Sequence, residues 1–342
     1  MTGLLALALR ESASDLHLAA GRVPALRVDG RMRPLDLPPL APATMGSLLS
    51  QVMSEQQLRE FDERRDLDFA LALPGVPRCR VNVFEQLHGA GAVLRLLPQR
   101  VPSLGELGLG EAFRRLLDAE SGLLLVTGPT GSGKSTTLAA LVDHLNRQRE
   151  LHILTLEDPL EFIHAPQRSQ ITQREVPRHS PGFAQALRAA LRQDPDVIML
   201  GELRDLETIR LALTAAETGH LVLATLHTSS AVKSIDRIVD VFAGEEKTMV
   251  RSLLAESLQA VVSQVLVPRT GGGRVAAHEI LIATPAVRTL IREGKMAQLY
   301  SAMQTGVGQG MQTLDSNLQR LVGQGQISAE SARANRRSPS VP

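Results

Sequence analysis

Residues 128–136 read Gly-Pro-Thr-Gly-Ser-Gly-Lys-Ser-Thr, and this run restricts the fold more than any other part of the chain. It satisfies G-x-x-x-x-G-K-[ST], a phosphate loop. Its glycines let successive backbone N–H groups curl inward on an anion. Lys134 can reach β- and γ-phosphates, and Ser135 can place its hydroxyl on Mg²⁺. Such a loop works only between a strand and a helix, and both flanks are present. Leu123–Thr127 is an apolar run of strand length. Thr137–Arg147 has a helical pattern, so a helix N-terminus adds its dipole to the same site. Gly128, Pro129, Thr130, Gly131, Ser132, Gly133, Lys134, Ser135 and Thr136 are therefore the expected nucleotide cradle. The bland alternative, a Gly/Ser-rich turn that binds nothing, does not account for the strand and the helix.

Composition narrows the partners. The chain has 342 residues, long for one core, so two domains are expected. It carries 37 basic and 36 acidic residues, a net charge of +1, which argues against a general nucleic-acid binder. Aromatic residues make up 2% and Trp is absent, so platforms for stacking bases are scarce. Cys79 is the single cysteine, which excludes an internal disulfide and a Cys-based metal site and fits a reducing compartment. Because it alternates with Val81 and Val83, Cys79 reads as a buried strand residue. No run approaches the roughly 18 apolar residues of a membrane span. Met1–Arg10 lacks a basic leader and a cleavage pattern. The expected location is the cytoplasm.

Periodicity and turn residues divide the chain. Residues 1–98 read as a small α/β domain. Within it, Leu4–Arg10 can start a helix, Asp15–Leu18 alternates like a strand, and Asp29-Gly30 marks a hairpin. Met45–Met53 and Glu55–Glu63 have helical spacing. Asp66–Leu73, Arg78–Phe84 and Ala90–Leu97 read as strands, with Arg78, Arg80 and Asn82 sharing a face. Residues 99–112 are the expected linker. From 113 to 284, apolar strands alternate with helices, as a parallel α/β sheet requires. The strands are Leu123–Thr127, His152–Glu157, Val197–Leu200, Leu221–His227 and Val275–Ile282. Leu206–Thr218 reads as a helix closed by Gly219. Glu245–Val267 is expected to be one long helix. Residues 285–334 read as a helical C-terminal region, and 335–342 as a disordered tail.

Phosphoryl chemistry also needs a carboxylate for Mg²⁺, a group that orients water, and positive charge on the γ-phosphate. Three strand ends offer them. Thr155-Leu156-Glu157-Asp158-Pro159-Leu160-Glu161 runs from a strand into an acidic cluster, where a parallel sheet presents its ligands. Asp196-Val197-Ile198-Met199-Leu200-Gly201-Glu202 is an apolar strand ending in a carboxylate. Gly201 stands where Asp is common, which leaves Glu202 to act on Mg²⁺ through water. Leu221–His227 ends in His227, placed to sense a γ-phosphate. His220, before the strand, reads equally well as structural.

These segments together resemble the secretion ATPase superfamily, in its type IV pilus retraction branch. The likeness rests on GPTGSGKST (128–136), TLEDPLEFIH (155–164) and DPDVIMLGELRDLETIRLALTAAETGHLVLATLHTSSA (194–231). It extends to SDLHLAAG (14–21), RVNVFEQLHGAGAVLRLLP (80–98), RVAAHEILIATPAVRTLIREGK (274–295) and GMQTLD (310–315), so it covers nearly the whole chain. It implies a PAS-like N-terminal α/β domain, a RecA-like P-loop ATPase core and a helical C-terminal region. It implies ATP and Mg²⁺ as cofactors and a homohexamer. Glu161 becomes the water-activating carboxylate and Glu202 the Walker B glutamate. Arg80 and Arg95 become the arginines that reach a neighbouring subunit's nucleotide; alone they would read as exposed strand arginines. The implied partners are an inner-membrane pilus platform protein and a paralogous retraction ATPase, with membrane contact only through partners.

Two departures from the family stand out. Pro177-Arg178-His179-Ser180 replaces a stretch that usually holds Asp and Thr, and Ala286–Glu293 (AVRTLIRE) alters a segment usually AIRNLIRE. Three readings compete with retraction. A pilus-extension or type II secretion ATPase usually carries a four-Cys element, which one cysteine disfavours. An accessory paralogue is closer, though His-Thr-Ser-Ser-Ala (227–231) favours the retraction type. A nucleic-acid translocase is disfavoured by charge and composition.

Overall fold

The computed structural model describes residues 1–76, 78–98 and 100–337. The chain divides into two compact units, Met1–Arg100 with Glu161–Ile163, and Val101–Leu160 with the residues from His164 onward.

The first unit contains helices α1 (Thr2–Arg10), α2 (Pro42–Ser50) and α3 (Glu55–Arg64), and strands β1 (Asp15–Ala19), β2 (Ala25–Val28), β3 (Arg31–Pro34), β4 (Asp66–Leu71), β5 (Cys79–Gln86) and β6 (Gly89–Leu96). The six strands form one antiparallel sheet, ordered β3-β2-β1-β6-β5-β4. Asp29 and Gly30 both take positive φ, 49° and 79°. That is the geometry a two-residue hairpin needs to match strand twist. Ser54 and Gln57 close a capping box at the start of α3. One sheet face carries Leu16, Leu18, Leu26, Val81, Val83, Ala92 and Leu94 into the unit's core with Leu5, Met45 and Phe61. Cys79 is buried there, and burial pushes its thiol up to about 11, so it is a packing residue as expected.

The second unit contains α4 (Glu111–Leu116), β7 (Gly122–Thr127), α5 (Lys134–Gln148), β8 (His152–Glu157), β9 (Gln170–Glu175), α6 (Phe183–Ala190), β10 (Val197–Leu200), α7 (Leu206–Glu217), β11 (Leu221–Leu226) and α8 (Ala231–Asp240). It continues with α9 (Lys247–Ser257), β12 (Leu258–Pro268), β13 (Arg274–Ile282), α10 (Pro285–Arg292), α11 (Leu299–Thr305), α12 (Leu314–Gly323) and α13 (Ala329–Ala334). The sheet order is β13-β12-β7-β11-β10-β8-β9, all parallel except β13 against β12. Every residue of β7, β10 and β11 is buried. Helices cover both faces, so these strands read as continuous apolar runs rather than alternating ones.

Three expectations differ from what is observed. The helix expected over Glu245–Val267 ends at Ser257; Leu258 turns to φ −63°, ψ 130° and the chain continues as β12. The run Leu258–Val267 is apolar enough to fit either period, and its four valines favour the strand once both faces are buried. Leu104 and Leu109, inside the stretch expected to link, are buried with Phe113 and Leu117 in the second unit's core. In the expected tail, Asn335 and Arg337 make defined contacts, and residues 338–342 lie outside the described residues.

Candidate active site

The sheet order explains why three distant motifs meet. Strands β7, β11 and β10 are adjacent and parallel, so the residues that follow them leave the sheet on one edge. The residues after β7 form the phosphate loop, His227 follows β11, and Glu202 follows β10 after Gly201. Parallel α/β sheets bind ligands at this edge.

The loop is held from behind by Gln264 on β12, a residue that sequence reasoning missed. Its Nε2 donates to Ser132 O at 2.6 Å, and its Oε1 accepts from Thr137 Oγ1 at 2.7 Å. The loop passes so close that a Cβ on Gly128, where φ is +149°, would lie 2.3 Å from Gln264 O. The one clue in the sequence was an amide inside an apolar run. Helix α5 starts at Lys134 from Gly133, which has φ 86°. Its first turn therefore offers N–H groups with no intrahelical partner. Ser132 is 3% exposed, and its Oγ has no hydrogen-bond partner among the described residues. An orphan hydroxyl, free helix-end amides and a backbone path that excludes side chains suit a phosphate group.

Lys134 Nζ donates to Gly128 O at 2.9 Å and Pro129 O at 3.1 Å. It also lies 3.4 Å from His227 Nδ1, and Thr130 Oγ1 lies 3.5 Å from the same nitrogen. His227 Nε2 is 3.2 Å from Glu202 Oε1. Lysine has no acceptor, so Nδ1 takes the acceptor role and Nε2 carries the proton toward the carboxylate; the tautomer is assigned from these partners. Arg204 Nε donates to the other Glu202 oxygen at 2.7 Å. The result is one chain of contacts, Lys134–His227–Glu202–Arg204, along the edge where a γ-phosphate and its metal would sit. A Cβ on Gly201 would only reach ordinary contact distance, 3.4 Å, from Glu157 Cα and Leu156 O, so the space there does not by itself require glycine.

Ser135 and Thr136 are half-buried at the start of α5. His220, before β11, is a structural residue, with Nδ1 3.0 Å from Ala215 O. Glu161 is exposed, and its side chain has no hydrogen-bond or ion-pair partner among the described residues. The turn that departs from the family is pinned locally. Glu175 N donates to His179 Nδ1 at 3.0 Å, and a Glu175 carboxylate oxygen accepts from Leu160 N at 3.2 Å. Among the described residues no cluster of three metal-binding side chains occurs. A cavity of about 450 Å³ lined by Glu111, Arg115, Gln259 and Gln309 contains none of these residues.

Arg80 and Arg95 belong to the first unit and lie directly opposite each other on β5 and β6. Arg95 pairs with Asp15 at 2.9 Å, and Asp15 is 4% exposed. Arg80 pairs with Asp68 at 3.7 Å. Asp15, in the SDLHL run, is a second residue missed as a support.

A phosphate loop, a carboxylate and a histidine converging at one edge of a parallel sheet define a P-loop ATPase core of the RecA-like kind. Residues 2–334 match the family described as Type II/IV secretion system protein, and the chain belongs to that family. It is 58% identical over 339 residues to the type IV pilus retraction ATPase PilT of Pseudomonas aeruginosa, covering 99% of this chain and 98% of that protein. It is 53% identical over 311 residues to a twitching motility protein of Neisseria gonorrhoeae, covering 91% and 83%. A crystal structure of the pilus retraction motor PilT with bound ADP superposes with a TM-score of 0.92 at 46% identity, covering 99% of this chain and 97% of that one.

Proposed function

We propose that this chain is a motor ATPase that hydrolyses Mg²⁺-ATP to power retraction of type IV pili and twitching motility. The observation that carries the reading is the Lys134–His227–Glu202 chain beside a phosphate loop, in a protein similar to PilT along almost its whole length. ATP lies on residues 128–136. Ser135 would hold Mg²⁺ through its hydroxyl and Glu202 through water, and the charge the metal supplies when bound would offset that of the phosphates. Lys134 then exchanges its carbonyl partners for phosphate oxygens. His227 joins the γ-phosphate side of the site to the metal side, since its two nitrogens contact Lys134 and Glu202. Glu161 is exposed and has no partner among the described residues, as suits a base that must take a proton from water.

The assembly is a homohexameric ring at the cytoplasmic face of the inner membrane, bound to a pilus platform protein. Among the described residues no helix is long and apolar enough to cross a membrane. Two arginines directly opposite each other in an antiparallel pair repel unless anions compensate them. Asp15 and Asp68 do so in part, and a neighbouring subunit's nucleotide supplies the rest in the ring. Mixing Arg80→Ala subunits with Glu161→Ala subunits tests this. Each variant alone is inactive, and mixed rings recover turnover at sites that join two intact halves. Verified mixed rings with no recovered activity would refute the shared site.

A further inference from the structure

Strand β13 carries a buried carboxylate that the nucleotide chemistry does not use. Glu279 is 1% exposed. It lies opposite Ser263 on β12, and Ser263 lies opposite Thr127 on β7, so the three form one row across the sheet. Its Oε1 accepts the N–H of Ala231, the first residue of α8, at 2.8 Å. Its Oε2 is 2.6 Å from Arg337 Nη1, a close ion pair without the angle of a directed hydrogen bond. Arg337 comes from beyond the last helix. Its Nη2 donates to Ser263 Oγ at 3.0 Å, and its backbone N–H donates to Asp315 Oδ1 at 3.0 Å. A residue from the far end of the chain thus supplies the cation that a buried carboxylate requires.

The helix start held in this way carries Ser234, which touches residues on both sides of the nucleotide site. Ser234 in the first turns of α8 places its Oγ 3.2 Å from Thr127 Oγ1 and 2.6 Å from Thr228 Oγ1. Thr127 is the last residue before the phosphate loop, and Thr228 follows His227. The start of α8, the end of β7 and the residue after His227 are therefore tied through three hydroxyls, with Glu279 and Arg337 behind them. The loop itself has a separate anchor in Gln264.

We propose that Arg337 is a positioning residue for ATP turnover. By neutralising Glu279 it fixes the start of α8, and through Ser234 and Thr228 it fixes His227. The inference rests on residues 128–136 and His227 forming the nucleotide site. With Arg337 gone, the unpaired carboxylate draws water or turns outward, and Ala231 N loses its acceptor. Because Gln264 still holds the loop, turnover falls and nucleotide affinity does not.

The test uses three full-length variants, assayed with Mg²⁺-ATP well below each unfolding midpoint, together with ADP binding. Arg337→Gln lowers kcat about tenfold or more while the ADP Kd moves less than about threefold. Glu279→Gln with Arg337→Gln removes the stranded charge and keeps an acceptor for Ala231 N, so kcat returns to within about threefold of the wild type. Glu279→Ala with Arg337→Ala also leaves no charge but removes the acceptor, so kcat stays about tenfold down in a folded protein. Wild-type turnover in Arg337→Gln overturns the proposal, and so does a double amide variant as impaired as Arg337→Gln. Should Arg337→Gln not fold, equal kcat in the two double variants overturns it. A Lys134→Ala control that still hydrolyses ATP would instead remove the site reading itself.

Discussion

Lys134→Ala and Glu161→Ala are expected to separate nucleotide binding from chemistry. On the proposed role of Lys134 as the charge on bound phosphates, Lys134→Ala should weaken nucleotide binding as well as turnover. If Glu161 acts on water as proposed, Glu161→Ala spares ATP binding and costs about 10²–10⁴ in rate. Steady-state kinetics with a nucleotide-binding titration checks both. If Glu161→Ala lost affinity as badly as Lys134→Ala, its assigned role would be wrong. A different residue is expected to weaken the fold in acid. His278 is 3% exposed, stacked edge-on to Phe113 at 5.6 Å. Burial, and then the charge of Arg320, lowers its pKa to about 4. The unfolded chain takes up this proton from about pH 6.5 downward and the folded chain resists it until about pH 4. The stabilisation is therefore complete above pH 6.5 and is lost as pH falls between those values, by about 3 kcal/mol in all. Burial lowers His17, His144 and His164 in the same direction. Unfolding midpoints measured from pH 7 to pH 4.5 should fall, and His278→Phe should make the slope shallower. An unchanged slope in His278→Phe would exclude His278 as the source.

At the level of elements, the nucleotide motifs were the legible part of the sequence. The phosphate loop, β8, β10 and β11 announce themselves because their chemistry fixes residue types at fixed spacing. The elements behind them carry no such constraint. Gln264, Glu279 and Arg337 act through pairings between β12, β13 and the chain's end, which only the folded sheet brings together. Strand β12 has the look of a helix in sequence because a strand covered on both faces loses its alternation. The arginine pair on β5 and β6 could be placed on strands, but its partner Asp15 depends on strand register. The altered segment Ala286–Glu293 also has a defined structural task. Arg288 Nη1 donates to Ala255 O at 2.5 Å and Glu256 O at 2.6 Å, capping the end of α9, and Val287 and Ile291 are buried beneath it. Leu290 packs half-buried against the same core. Arg288→Ala should cost about 1–3 kcal/mol in stability. Both Arg288→Ala and Leu290→Ala should leave ATP turnover within about threefold of the wild type. Both should impair motility if α10, which lies outside the nucleotide motifs, transmits motion or binds a partner. Comparing turnover and twitching zones of the two variants checks this, and loss of turnover in either would place α10 within the catalytic machinery.

For the whole molecule, the fold and its similarity to PilT define an ATPase core, and the sharing of sites between subunits is the proposal that the Arg80 and Arg95 pair supports. The direction of work comes from similarity to retraction motors and from the absence of a four-Cys element in the sequence. The central claim is therefore tested in a strain from which this gene has been deleted, by counting surface pili and measuring twitching together. A retraction motor predicts that pili are kept or increased while twitching is lost. Wild-type protein should restore motility and Lys134→Ala should not. A deletion strain without pili would contradict the account and identify an extension motor instead.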